Sequence, residues 1–294
     1  MKHDRCMGRV ILGSESIARG EVTRGQLRSR YRRIFRDVYE PREAEPSLRA
    51  NTVGAWLWSG RQGVITGRAA ASLHGAKYVD DGTPVELVFA NNRPPKGIVT
   101  RRDRIADDEV VPIHGLPVAT VQRTAFDLGR YLPRGVAVAH LDALARATGI
   151  TAEEVLPLGD RYRGARGVRG FRDAIHMMDA GGHSPRETWL RLLLIDAGFP
   201  TPQTQIPVYD REYGWAYIDM GWPDLLIGLE YDGEQHRKDS DQYARDIAKH
   251  RMLQRRNWII IRVIKGHRPI QVIDWVRDAE SRREREARAV SSVA

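Results

Sequence analysis

Hydrophobic and polar positions alternate most sharply between Tyr217 and Arg237. The spacing predicts a strand over 216–220, a tight turn at 221–224 and a more apolar strand over 225–232 that runs into acids and a histidine. Alternation puts Glu230 and Asp232 on one face of the second strand and Leu229 and Tyr231 on the other. The two carboxylate positions are then about 7 Å apart by the rise per residue. A hairpin through Trp222-Pro223-Asp224 brings Asp219 beside them. Around this pair the pattern predicts helices over 185–198, 239–255 and 272–283, a strand over 204–208 and an apolar, parallel strand over 258–264. Tyr243, Ile247 and Leu253 are expected to face inward on the middle helix. Ser184-Pro185-Arg186-Glu187 reads as a capping box with proline at the first helical position.

Earlier in the chain the elements are shorter. Residues 10–19 read as a helix, Thr23 as the cap of a second helix over 24–31, and 32–39 as a strand or hairpin alternating basic and apolar residues. Helix, turn, basic helix and basic hairpin is the order of a winged helix-turn-helix, with Arg24, Arg28 and Arg30 offered to a DNA groove and Arg36 on the wing. A small helical cap with a solvated arginine face gives the same pattern. Next come a helix over 50–58, a Thr66-capped helix through Ala69, Ala70, Leu73 and His74, strands over 85–90, 98–104 and 110–113, and a helix over 120–130. No catalytic constellation is visible there: His74 and His114 stand alone and read as structural, and Trp56 and Trp58 read as core. Helices over 136–147 and 151–156 follow, with Thr151 and Glu154 as a capping box. The stretch 161–170 sets arginines among glycines and reads either as a mobile basic loop, whose Arg166 contacts phosphate, or as a solvated linker. Residues 171–179 form one more helix before Gly181-Gly182.

Charge and composition sharpen this picture. Lys and Arg exceed Asp and Glu by nine, the isoelectric point is near 9.9, and the balance favours a polyanionic partner. With 41% hydrophobic residues the chain can build real cores. A single cysteine, Cys6, leaves no intramolecular disulfide and no Cys-rich zinc site. There is no long apolar run and no signal peptide, so a cytoplasmic, nucleoid-associated protein with no membrane partner is expected. The expected domains are 1–48, a winged helix; 49–130, an α+β middle region; 131–183, a helical connector with the basic loop; and 184–294, an α/β core with a mixed sheet.

Three acids converging at a strand end repel one another, raise a pKa or hold a metal ion, and the third is the functional reading. Asp219-x-x-Trp222-Pro223 and Glu230-x-Asp232-Gly233-x-x-His236, followed by Arg245-Asp246 on a helix, resemble the very-short-patch-repair-like (Vsr-like) nucleases of the PD-(D/E)XK superfamily over about residues 184–283. The order from the N-terminus through Arg36-Asp37-Val38-Tyr39, with the phrase from Val118 to Leu128, resembles the AbiEi-type antitoxins. Together these resemblances imply an α/β, multidomain protein with a restriction-endonuclease-like C-terminal core. They imply Mg²⁺ or Mn²⁺ held by Asp219, Glu230 and Asp232, duplex DNA as substrate, Arg245 near phosphate and, from the antitoxin likeness, a cognate toxin. Glu187 falls where the resembled nucleases carry an acid on their first helix. The lysine usual two residues after the glutamate is Asp232 here, so His236 is expected to activate water and Lys249 to supply the positive charge. The alternatives are an antitoxin-like DNA-binding regulator with an inactive nuclease fold, and an RNA nuclease on the same scaffold.

Overall fold

The computed structural model describes residues 10–91, 93–232 and 240–291. Over these the chain is an α/β protein with eleven helices and three sheets, divided into two compact units, Met1–Met178 and Asp179–Ala294.

The first unit opens with β1 (Ile11–Leu12), α1 (Gly13–Ala18), α2 (Arg24–Arg30), β2 (Tyr31–Phe35) and β3 (Val38–Pro41), the strands forming an antiparallel sheet in the order β1-β3-β2. The helix expected from residue 10 begins instead at Gly13, because Ile11 and Leu12 pair with Tyr39 and Val38 and the Gly13 amide donates to the Asp37 carbonyl. Thr23 closes a capping box with Gln26 at the start of α2. Then come α3 (Leu48–Trp58), β4 (Val64–Thr66), α4 (Gly67–Leu73), β5 (Val85–Val88), β6 (Ile98–Arg101), β7 (Val110–Ile113) and β8 (Leu116–Ala119), with a mixed sheet in the order β6-β5-β4-β8-β7. The strands β4 and β8, three and four residues long, were not read from the sequence. Val10, Phe35 and Val38 pack in the same cluster as Val53, Ile65, Leu87 and Val118, so the two sheets share one core.

Four helices complete this unit: α5 (Val121–Tyr131), α6 (Arg134–Thr148), α7 (Ala152–Arg161) and α8 (Val168–His176). Thr151 and Glu154 make the expected capping box. Thr66 does not cap α4; its hydroxyl donates to Asp127 Oδ2 instead, at 2.7 Å. Of the basic stretch 161–170, expected as a mobile loop or a solvated linker, only 162–167 is a turn, since Arg161 ends α7 and Val168 begins α8, and that turn is pinned to α5. Arg130 Nε donates to the Arg166 carbonyl at 2.9 Å, and a Cβ at Gly167 would lie 2.4 Å from the Arg130 carbonyl oxygen.

The second unit contains α9 (Pro185–Asp196), β9 (Gln203–Asp210), β10 (Gly214–Trp222), β11 (Ile227–Asp232), α10 (Ser240–Arg255), β12 (Ile259–Ile264) and α11 (Pro269–Ser291). Its sheet runs β12-β11-β10-β9, with β11 parallel to β12 and the other pairs antiparallel. Leu190 and Leu194 of α9 and Val272 and Val276 of α11 cover one face, against Met220, Leu229, Ile261 and Val263. Met252 and Leu253 of α10 cover the other, against Ala216, Ile218 and Ile260. On α10, Ile247 is exposed where it was expected inside, and Met252 joins Leu253 in the core. Beyond the expected end at 283, α11 continues to Ser291, with Arg282 and Arg283 both paired to Glu286.

Candidate active site

The strand β10 changes face at Asp219. Ile218 belongs to the core under α10 and Met220, two residues on, to the core under α9 and α11, so strict alternation fails between them. Opposite Asp219 on β9, Gln205 adopts a left-handed backbone with φ of 48° and drops out of the ladder between the Ile218–Ile206 and Met220–Thr204 pairs. Irregularities of this kind re-aim side chains beside sites. Asp219 Oδ2 accepts the Tyr231 amide of β11 at 2.8 Å, and its carboxyl is pushed up to about 7 by burial, then by the negative charge of Glu187, with Glu230 adding to it. The Tyr231 amide and Lys249 oppose that rise.

Glu230 shares a face of β11 with Gly228, packed toward Ile218 and Ile260, and so looks to the α10 side. There Lys249 Nζ lies 2.6 Å from Glu230 Oε1, and Arg262 of β12, the register partner of Glu230, has Nε 3.9 Å from Glu230 Oε2. Asp219, Glu230, Tyr231, Asp232, Asp246, Lys249 and Arg262 line one cavity of about 170 Å³. Asp246 and Lys249 come from one face of α10, three residues apart. Glu187 does not close the expected capping box; it accepts from Ser184 Oγ at 2.9 Å and from the His183 amide, one residue before the cap, at 3.0 Å, while its charge reaches Asp219.

The expected set is thus brought together in part. Asp219, Glu230, Asp232 and Lys249 line the cavity, Glu187 acts on it electrostatically, and His236 lies outside the described residues. Among the described residues no three His, Cys, Asp or Glu side chains are grouped closely enough to hold a metal ion, so the three-acid ligand set is not assembled as one cluster. Arg262 was missed by sequence reasoning. The available signal was a lone charge in the otherwise apolar run Ile259–Ile264, at the position a parallel partner sets beside Glu230.

The residues expected to contact nucleic acid separate likewise. Arg24 and Arg28 line a cleft of about 420 Å³ between α2 and the β2–β3 hairpin, with Arg32, Arg33, Arg42, Tyr31 and Tyr39. Arg32 is committed to Glu40 at 3.0 Å, and Arg42 donates to the Arg28 carbonyl at 2.9 Å. Arg24, Arg28 and Arg33 are exposed and form no ion pair among the described residues. Arg36 lines a different cavity, beside Trp58, Phe89 and Arg93, while Arg30, Arg166 and Arg245 are exposed outside both.

A second cluster of charge escaped sequence reading. Arg123, fully buried on α5, holds Asp127 at 3.0 Å, Glu109 at 2.5 Å and the Arg104 carbonyl at 2.9 Å. Arg130 adds Asp127 at 3.4 Å and Asp103 at 3.2 Å, and Tyr162 donates to Glu109 at 2.7 Å. The spacing Arg123 to Asp127, one helical turn, was the signal. Its partners come from loops that no local pattern connects. His74, expected to be structural, bonds the Ala119 carbonyl through Nε2 at 2.8 Å.

No family model matches the chain. Uncharacterized proteins of two Mycobacterium tuberculosis strains are each 25% identical to it over 234 residues, covering 79% of this chain and 84% of the relative. That span exceeds the length of either unit, so the likeness extends over both. No helix among the described residues is long and apolar enough to cross a membrane.

Proposed function

We propose that the second unit is a metal-dependent endonuclease of the PD-(D/E)XK type, with Asp219 and Glu230 at its centre, and that the first unit holds duplex DNA through the cleft of Arg24, Arg28 and Arg33. The observation that carries the reading is the pair of acids from adjacent strands, one part-buried and pushed up to about 7, with Lys249 brought to 2.6 Å from Glu230. Asp232 stands where the resembled nucleases carry lysine, and Lys249 supplies that cation from α10 instead.

A divalent cation fits the two-carboxylate arrangement. Burial and like charge hold the Asp219 acid high, which a cation would reverse, and Mg²⁺ commonly takes one or two protein carboxylates and completes its shell with water and phosphate oxygens. When bound, Mg²⁺ or Mn²⁺ supplies the charge that lets an anionic phosphodiester and an attacking water meet. The protein's own part is positioning. The Tyr231 amide fixes Asp219 Oδ2, Lys249 steadies Glu230 and meets the phosphate charge, and Arg262 widens the positive rim. Asp232 and His236 remain candidates for proton transfer at the strand end, and Glu187 for tuning Asp219.

Supercoiled plasmid incubated with Mg²⁺ or Mn²⁺ tests the proposal. The parent should nick or linearise it, Asp219→Asn and Glu230→Gln should lose cleavage while still binding DNA, and Lys249→Met should cleave more slowly. Cleavage by both carboxylate variants at the parent rate would refute the site. A second reading, an antitoxin-like DNA-binding regulator with a non-cleaving second unit and a toxin partner, is favoured by one observation. The whole excess of nine positive charges falls within residues 1–178, while the two signs balance in 179–294. A parent inert on DNA and RNA with every divalent metal selects that reading; cleavage of RNA alone selects an RNA nuclease.

A further inference from the structure

Three aromatic side chains lie in the open on the β9–β10 hairpin: Tyr209 is 53% exposed, Trp215 63% and Tyr217 53%. Tyr209 and Trp215 are direct cross-strand partners with ring centroids 5.2 Å apart, and Tyr217 follows Trp215 two residues along β10. Ala216 and Ile218, the intervening residues, point into the core under α10. Trp215 and Tyr217 therefore stand on the opposite face, and the row ends at Tyr217, two residues before the face change at Asp219. Beyond the Tyr209–Trp215 pair the fold covers little of this row. Each ring leaves over half its surface in water while the core is closed without it, so it calls for an external partner with flat apolar faces.

We propose that Tyr209, Trp215 and Tyr217 are a stacking platform for the unpaired bases of a DNA strand, set on β10 two residues before Asp219. The inference rests on the nuclease reading for its partner and on the hairpin for its geometry. Two further observations select this partner. Arg211, in the turn joining β9 to β10, is exposed and has no carboxylate partner among the described residues, so the same hairpin carries a cation able to meet phosphate. Pro207, across from Tyr217 on the edge strand β9, offers no backbone donor and interrupts the ladder that an added peptide strand would need. Stacking accepts any base, because each has a π-face, so the platform selects for unpaired strand without selecting sequence.

The test is binding rather than turnover. Fluorescently labelled single-stranded DNA, its RNA counterpart and the matching duplex are titrated in EDTA against full-length Glu230→Gln protein, with and without Trp215→Ala/Tyr217→Ala. The aromatic pair should cost on the order of tenfold or more in single-stranded DNA affinity, leave duplex affinity within about twofold, and be restored by Trp215→Phe/Tyr217→Phe. Unchanged affinity for single-stranded DNA overturns the proposal, as does an effect confined to RNA. A change in sedimentation of the variant with oligonucleotide binding intact also overturns it, by marking the patch as a contact between copies of the chain. Circular dichroism confirms that the variants are folded. A parent that never cleaves, yet binds single strands through these rings, sinks the nuclease reading alone. A parent that cleaves but binds without the rings sinks only the platform.

Discussion

Two carboxylates, Asp127 in the first unit and Asp219 in the second, sit in opposite fields. In the first unit Asp127 receives Arg123 at 3.0 Å, Arg130 at 3.4 Å and the Thr66 hydroxyl at 2.7 Å, so its charge is matched on every side. In the second unit Asp219 receives one backbone amide and faces two more acids, Glu187 and Glu230. Breaking a matched buried charge is costly to a fold; an acid set among acids is at odds with folding, and the proposed metal site is read from it. The lesson concerns where to look. The first unit carries the whole charge excess and the densest ion network, yet the arrangement suited to chemistry lies in the unit whose charges balance.

The most severe test of this contrast removes the matching cation. Arg123→Met should leave Glu109 and Asp127 short of their nearest buried cation and cost about 3–5 kcal/mol in urea unfolding of the first unit. A loss below about 1 kcal/mol would mean that the network is not holding that unit.

For Asp219 the sign is reversed. Its folded acid, near 7, lies above its ordinary 3.8, so the folded unit retains a proton that the unfolded chain has released. In the metal-free protein its contribution is fully present below about pH 4 and is lost as pH rises through 7, with a ceiling of roughly 4 kcal/mol. Asp219→Asn should flatten that slope and make the metal-free unit more stable at pH 8, which pH-dependent denaturation measures. A slope that survives the substitution would assign the pH dependence to another group.

Packing beside the site gives a smaller effect. A Cβ at Gly228 would lie 2.7 Å from Ile218 Cγ2 and 2.9 Å from Ile260 Cδ1. Gly228→Ala should therefore cost about 1–3 kcal/mol, and by displacing Ile218 beside Asp219 it should lower cleavage more than the melting temperature suggests. Equal losses in cleavage and folded fraction would limit Gly228 to packing.

Least costly to the fold is the exposed cationic cleft. Replacing Arg24, Arg28 and Arg33 with alanine should leave stability within about 0.5 kcal/mol and reduce the salt dependence of duplex binding by about two to three contacts. An unchanged salt slope would remove the cleft from DNA binding.

The sequence by itself determined the elements whose cause is local. The caps at Thr23, Thr151 and Ser184, the strands on either side of Pro223, the parallel apolar strand before α11 and the pairing of Glu230 with Asp232 on one face all follow from periodicity and capping chemistry. Only the tertiary structure decided what depends on residues far apart in the chain. It brought Arg262 beside Glu230 through the β11–β12 register, Lys249 onto Glu230 from a helix, and Glu187 into the field of Asp219. It separated Arg36 from Arg24 and Arg28, and it turned Thr66 from a helix cap into a partner of Asp127, 61 residues away. The face change at Asp219 was illegible for the same reason: alternation is a property of one regular strand, and the break is set jointly with Gln205 on its neighbour. Local patterns fix backbone elements within a few residues, whereas the field at a buried carboxylate is the sum over every charge that the fold brings near it.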